Sequence, residues 1–256
     1  MAALGLSPAG RKYGLLPVTR DPRDLRLASF SEVENIVGPP VVDLRKWCGP
    51  IKDQGPLGAC TAFAGSSAME WLMRRYESIA PVFSPMFLYA VEREHDGTPL
   101  TDDGGSTDQT TCWCLHHQGV CLESADPYQP RDFTTPPTPE QLTEAALYKI
   151  TGYHALTNGL PDVINCLACG YPALFGFTVY DSFESAAVAS SGVIPMPGPD
   201  EQILGGHETL IVGKDDPNKM LLVQNSWGAG WGDGGYFHVP YAVFQALVLD
   251  CRLAHL

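Results

Sequence analysis

The sequence predicts an α+β protein whose helices and strands are segregated into two lobes. Two observations carry that prediction. Apolar residues at helical spacing, with matching start and stop signals, crowd the first half of the 256 residues. After about residue 148 short strand-like runs take over, and neither an internal repeat nor a low-complexity tract interrupts the change. A hydrophobic fraction of 45% with 18% charged residues suits a well-cored globular chain.

The elements follow in order. Residues 1–40 read as an extension, because Pro8, Pro17, Pro22, Pro39 and Pro40 interrupt any regular element. Residues 41–148 read as a helical lobe and 149–256 as a strand-rich lobe. A helix is expected from Cys60 to near Ser78, ahead of Pro81. The run SPMFLYAVERE predicts a second helix, with Ser84 as N-cap and Pro85 at the first helical position. TDQTTCWCLHHQ, closed by Gly119, predicts a third, and Pro127 to Pro139 reads as loop. Beyond it, PDVINCLACG is helical, while ALFGFTV, ETLIVGK, MLLVQNS and GYFHVP are strand-like.

Composition excludes several function classes. A formal net charge of −13 argues against a nucleic-acid or anionic-membrane partner. The charge is uneven: Arg11, Lys12, Arg20, Arg23 and Arg26 against Asp21 and Asp24 give residues 1–26 a net +3, leaving −16 for the rest. A basic arm docking on an acidic body is therefore expected. No apolar run approaches the ~20 residues of a membrane span, and MAALGL is too short for a signal-peptide core. The expectation is a monomer in a cytoplasmic, reducing compartment, or export without a classical signal. The eight cysteines at 48, 60, 112, 114, 121, 166, 169 and 251 are too dispersed for a disulfide framework. Cys112 and Leu115 fit the core side of the third helix, with His116 and His117 at the surface, so neither metal nor cofactor is expected.

The chemistry centres on IKDQGPLGACTAFAGSSAMEW, residues 51–71. Gly55, Pro56 and Gly58 make a tight loop that feeds a helix at Cys60. A helix N-terminus favours a thiolate, because unpaired N–H groups and the helix dipole stabilise negative charge. Gln54 brings a side-chain NH2 that suits an oxyanion beside the sulfur. Taken alone, the stretch is equally compatible with a buried, inert cysteine. A nucleophilic thiol needs a base, and the base an orienting group. His207 in GGHETLIVG and Asn225 in VQNSWGAGWGDGGYF flank neighbouring strand runs, so pairing of those strands would bring them together. Trp227 would shield their hydrogen bond from water.

On these residues the chain resembles the papain family of cysteine proteases over roughly residues 42–250. The match rests on Gln54-Gly55 ahead of Cys60, Gly205-Gly206-His207, and NSWG-x-GWG-x-x-GY at 225–236, with His207 and Asn225 lying 147 and 165 residues beyond Cys60. The resemblance implies a two-lobe fold: a helical left lobe, a β-barrel-like antiparallel right lobe, and the active site in the cleft between them. It implies an endopeptidase acting on polypeptides through a Cys60–His207–Asn225 triad and a thioester, with Gln54 and the Cys60 N–H as oxyanion hole. Gly104, Gly105, Ser106, Thr107, Gly206 and Glu208 are implied to bind substrate. Exopeptidase, isopeptidase or acyl-transfer work, or a non-catalytic binding role, are the alternatives on the same scaffold.

The departures from the family pattern are informative. Leu57 and Asp102 stand where the family has a bridged cysteine pair, which implies a reduced location or a prokaryotic or viral-type branch. Thr61 replaces an indole beside the nucleophile and is expected to open or rearrange the primed rim of the cleft. Glu208 replaces a small residue beside the pocket for the second acyl-side residue. It is expected either to bias that pocket toward basic or polar side chains or to point to solvent. The basic arm, 1–26, is expected either to restrain the cleft or to be a tether.

Overall fold

A computed structural model describes residues 6–18, 24–27, 30, 38–157 and 159–256. Arg20, Asp21 and Arg23 of the basic arm lie outside the described residues.

Helix α1, Cys60–Leu72, is buried along all thirteen residues, so it forms the centre of the helical half. It runs into a wider turn, Met73–Glu77, and stops at Ser78 in the left-handed conformation (φ 56°). Helix α2, Pro85–Asp96, starts as expected: the Ser84 hydroxyl accepts from the Phe87 N–H, Pro85 holds the first position, and Gly97 ends it at φ 71°. In α3, Asp108–His117, Thr107 caps the first turn. A short α4, Pro139–Ala145, begins where the expected loop ends and is not among the expected helices; it starts on a capping box between Thr138 and Gln141.

The described strands are β1 Val41–Asp43, β2 Gly152–Ala155, β3 Ala173–Tyr180, β4 Ile203–Asp215, β5 Met220–Gln224, β6 Tyr236–Pro240 and β7 Val248–His255. They form one antiparallel sheet in the order β2-β7-β3-β4-β5-β6, with β1 added to β4. Among the described residues the sheet is not closed; β2 and β6 are its edges. Helices α5 Leu160–Ala168, α6 Ala186–Ser191 and α7 Tyr241–Leu247 accompany it. Phe175, Phe177, Phe183, Phe237 and Phe244 make its aromatic core. Helix α1 packs on β4. No helix among the described residues is long and apolar enough to cross a membrane.

Candidate active site

Cys60 is the first residue of α1 and is fully buried. Burial pushes its thiol up to about 12; backbone hydrogen bonds from Glu208 and Gly14 act against that, and the charges of Glu208 and Glu92 add to it. The loop ahead of it is tied down on both sides. Lys52 Nζ lies 2.6 Å from the buried Glu70 carboxylate of α1. The Gln54 N–H donates to Ser226 O (2.9 Å) and the Gly228 N–H to Lys52 O (2.9 Å), zipping this loop to the segment after β5.

That zipper joins the predicted partners. His207 sits on β4 opposite Phe177 of β3, and Asn225 follows β5, whose Gln224 pairs with Leu210 of β4. His207 Nε2 donates to Asn225 Oδ1 at 2.8 Å, and the same oxygen accepts the Ser226 N–H at 2.9 Å. An oxygen receiving both bonds fixes the proton on Nε2 and leaves a lone pair on Nδ1. Nδ1 is buried and has no hydrogen-bond partner. Burial lowers the His207 pKa to about 4; the Asn225 bond opposes this and the Arg11 charge reinforces it. Trp227 stacks on the imidazole at 5.1 Å and 29°. No hydrogen bond joins Cys60 to His207 in this state. Gln54 accepts from the Ser226 hydroxyl (2.6 Å), while its NH2 donates to Leu57 O (3.0 Å) and, more weakly, to Lys12 O (3.4 Å).

The arm runs across this site. Leu15 N donates to Gly206 O (3.0 Å), Leu16 N to Ser106 O (2.8 Å), and Ser106 N to Gly14 O (2.9 Å). Leu15 thus forms a parallel bridge with Ser106, and residues 14–16 run between the two walls expected to hold substrate. The approach is close because the walls and the arm lack side chains. A Cβ on Gly14 would fall 1.7 Å from Gly58 O, and one on Gly206 2.6 Å from Leu15 O. The flanks carry the charge complementarity predicted for the arm. Lys12 Nζ is 2.9 Å from the Asp103 carboxylate, Tyr13 OH donates to Glu184 (2.6 Å), Ser7 also bonds Glu184, and Arg11 lies 4.2 Å over the Trp227 ring.

Further along, the arm is attached to β2 and β7. Asp24 lies 3.2 Å from the buried Arg252 and accepts from Gln109 (3.1 Å). Ala155 N donates to Leu25 O (2.8 Å), Leu27 is buried, and Phe30 stacks on His255 (4.3 Å) and His154 (5.0 Å).

Several expectations need correction. Thr61 does not open a rim: it is fully buried, and its hydroxyl donates to Glu92 of α2 (2.7 Å) because the helix turns it into the core. Glu208 does not point to solvent; it is 1% exposed, with both carboxylate oxygens lacking a hydrogen-bond partner. A Cβ on Gly176 would meet Leu15 Cδ2 and Glu208 Oε2 at 2.7 and 2.8 Å, so the Leu15 side chain and the Glu208 carboxyl close on the same spot. Asp102 is exposed, and the residue that reaches the nucleophile loop is Asp103, whose carboxylate accepts the Gly58 N–H at 3.0 Å. Gly104 lies beside Thr98, and Gly105 is held at φ 75° against Gly14 O; Thr107 serves α3 as its cap. All eight cysteines are free. Cys112, Cys114 and Leu115 are core-facing, with His117 exposed. Sequence reasoning missed Asp103, Asp108 and Arg252. The only signal for Arg252 was a charged residue inside the run VLDCRLAH, which obscured the strand around it.

Comparison with known proteins identifies the family. The profile "Papain family cysteine protease" matches residues 38–252. An uncharacterized peptidase C1-like protein of Acanthamoeba polyphaga mimivirus is 33% identical over 74% of this chain and 63% of its own length. A cathepsin B-like protein of Giardia intestinalis is 28% identical over 88% of this chain and 77% of its own. The crystal structure of xylellain, a cysteine protease from Xylella fastidiosa, superposes with a TM-score of 0.86 at 30% identity, covering 100% of this chain and 98% of that one. The chain therefore spans a little under two thirds of the mimiviral relative. With its fold, the order of its motifs and these matches, it belongs to the papain family of cysteine proteases.

Proposed function

We propose that the chain is a cysteine endopeptidase held inactive by its own arm. The observation that carries the reading is the His207–Asn225 bond, which leaves Nδ1 as a buried, unpartnered base on the strand beside the Cys60 helix. Once the arm withdraws, the Cys60 proton passes to Nδ1 and the sulfur attacks a peptide carbonyl carbon. The Gln54 NH2 and the Cys60 N–H stabilise the oxyanion. His207 gives its proton to the departing amine, then takes one from water, whose oxygen displaces the thiolate from the thioester. Asn225 orients the imidazole and Trp227 keeps the bond dry. Gly104, Gly105, Ser106, Thr107, Gly206 and Glu208 line the acyl side.

Burial raises the Cys60 thiol and lowers the His207 imidazole, and both shifts disfavour the thiolate–imidazolium pair while the arm is docked.

Glu208, buried where Leu15 ends, is the basis of a preference for basic side chains at the second acyl-side position. A carboxyl with two unpartnered oxygens gains more from a cation than from a leucine. Peptides differing only by Arg or Leu there test it: Glu208→Ala should lower the Arg/Leu ratio of kcat/KM about tenfold, and an unchanged ratio removes the preference. The peptidase reading is tested by labelling with an epoxide cysteine-protease inhibitor and locating the adduct by mass. Adduct on Cys60, absent in Cys60→Ala and strongly slowed in His207→Ala, is expected. A protein that stays unlabelled after the arm is displaced would contradict it.

A further inference from the structure

Asp103 has no part in the chemistry above, yet three separate pieces of the molecule converge on it. Its carboxylate accepts the Gly58 N–H at 3.0 Å through one oxygen and 3.3 Å through the other. Tyr89, fully buried on α2, donates its hydroxyl at 2.5 Å, and the same hydroxyl accepts the Gly105 N–H at 3.1 Å. Lys12 of the arm approaches Oδ2 at 2.9 Å and donates to the Asp103 carbonyl at 2.5 Å. Behind it, the Arg93 guanidinium donates to the Leu100 and Asp102 carbonyls. The Asp103 side chain is 13% exposed, so these bonds sit largely out of water.

Gly58 lies two residues before Cys60 and four after Gln54. The loop is tied down at Lys52 and Gln54, and between Gln54 and Cys60 the Asp103 carboxylate is the acceptor that holds the Gly58 N–H. We propose that Asp103 is a positioning residue with two tasks. Its acceptor oxygens clamp the nucleophile loop to the loop 103–106 without a covalent bridge. Its charge latches the arm through Lys12. The clamp task needs a correctly placed acceptor, and the latch task needs the negative charge, so the two separate by substitution. The inference rests on the peptidase reading for its kinetic consequence and on hydrogen bonding alone for the clamp.

The test uses the full-length chain carrying Gly14→Ala, whose Cβ cannot coexist with Gly58 O and so empties the cleft. In that background Asp103→Ala should slow epoxide labelling of Cys60 about tenfold or more and lower kcat far more than it changes KM, as expected for misplaced reacting groups. Asp103→Asn should recover labelling to within about threefold, because its carbonyl still accepts from Gly58 and Tyr89. With Gly14 intact, Asp103→Asn and Lys12→Met should each speed labelling, since only the latch is lost. Amide exchange decides the clamp independently of catalysis. The Gly58 N–H should exchange about tenfold faster in Asp103→Ala than in Asp103→Asn, with Tyr89→Phe between them. Equal exchange in Asp103→Ala and the parent, or Asn as defective as Ala, overturns the clamp. Unchanged labelling in both Lys12→Met and Asp103→Asn overturns the latch. If even the Gly14→Ala parent stays unlabelled, the peptidase reading fails and the exchange result still decides the clamp.

Discussion

Residues 7–16 and residues 24–27 with Phe30 belong to one arm but are held by different chemistry. The first stretch is fixed by backbone bonds to Gly206 and Ser106 and by side-chain contacts with Glu184, Asp103 and Trp227 at the rim. Its apolar contribution is small, chiefly Tyr13 and Leu15. The second stretch supplies Asp24 to a guanidinium that is 1% exposed and already shared with Asp108 and Asp250. It also buries Leu27 and stacks Phe30 on two histidines. Rim ion pairs contribute little and screen easily, whereas a carboxylate serving a buried cation is costly to remove. On the proposed function, the first segment is a plug that leaves and the second a strap that stays.

The comparison breaks most visibly at Gly14. Gly14→Ala should raise the rate of peptide hydrolysis by about tenfold or more, because the competent, open population sets the apparent rate. Its melting temperature should move much less than its rate. The strap should behave in the opposite way. Asp24→Asn should cost about 1.5–3 kcal/mol in denaturant unfolding, the range for a hydrogen bond to a charged group, without speeding hydrolysis. If it activates the enzyme, the arm acts as one unit and the distinction is lost. Phe30→Ala should cost about 0.5–1.5 kcal/mol beyond the area it uncovers, again with no gain in rate.

The smallest effect is at a position neither half of the arm touches. Burial raises the Glu92 pKa to about 8, with the Thr111 and Thr61 hydroxyls opposing. The folded carboxyl keeps its proton where the unfolded one, near 4.5, has lost it. Stability from this group is therefore full below pH 4.5 and declines as pH rises toward 8. Thermal melts of Glu92→Gln should lack that decline, and they calibrate how much of any pH effect belongs to the arm.

The proposed triad residues are legible because each sits at a chemically marked junction: Cys60 where a glycine loop enters a helix, His207 after two glycines, and Asn225 at a strand end. Helices α2 and α3 were legible through Ser84, Pro85 and Gly119. Helix α4 was missed although Thr138-Pro139-Glu140-Gln141 carries a capping box, because the surrounding prolines dominated the reading. Strand β7 was missed because Cys251, Arg252, Leu253 and Ala254 are all buried, which erases the alternation that marks a half-buried strand. The arm's charge predicted docking but not its seat. That depends on Gly14, Gly105 and Gly206 meeting in space, and no spacing along the chain records it.

The most direct measurement is residue-resolved amide exchange before and after alkylating Cys60 with the epoxide. If the plug occupies the place of a substrate, Leu15 and Leu16 lose their protection when the adduct forms, while Ala155, bonded to Leu25 of the strap, keeps its own. Leu15 and Leu16 staying protected on an alkylated Cys60, or Ala155 losing protection with them, would contradict the account.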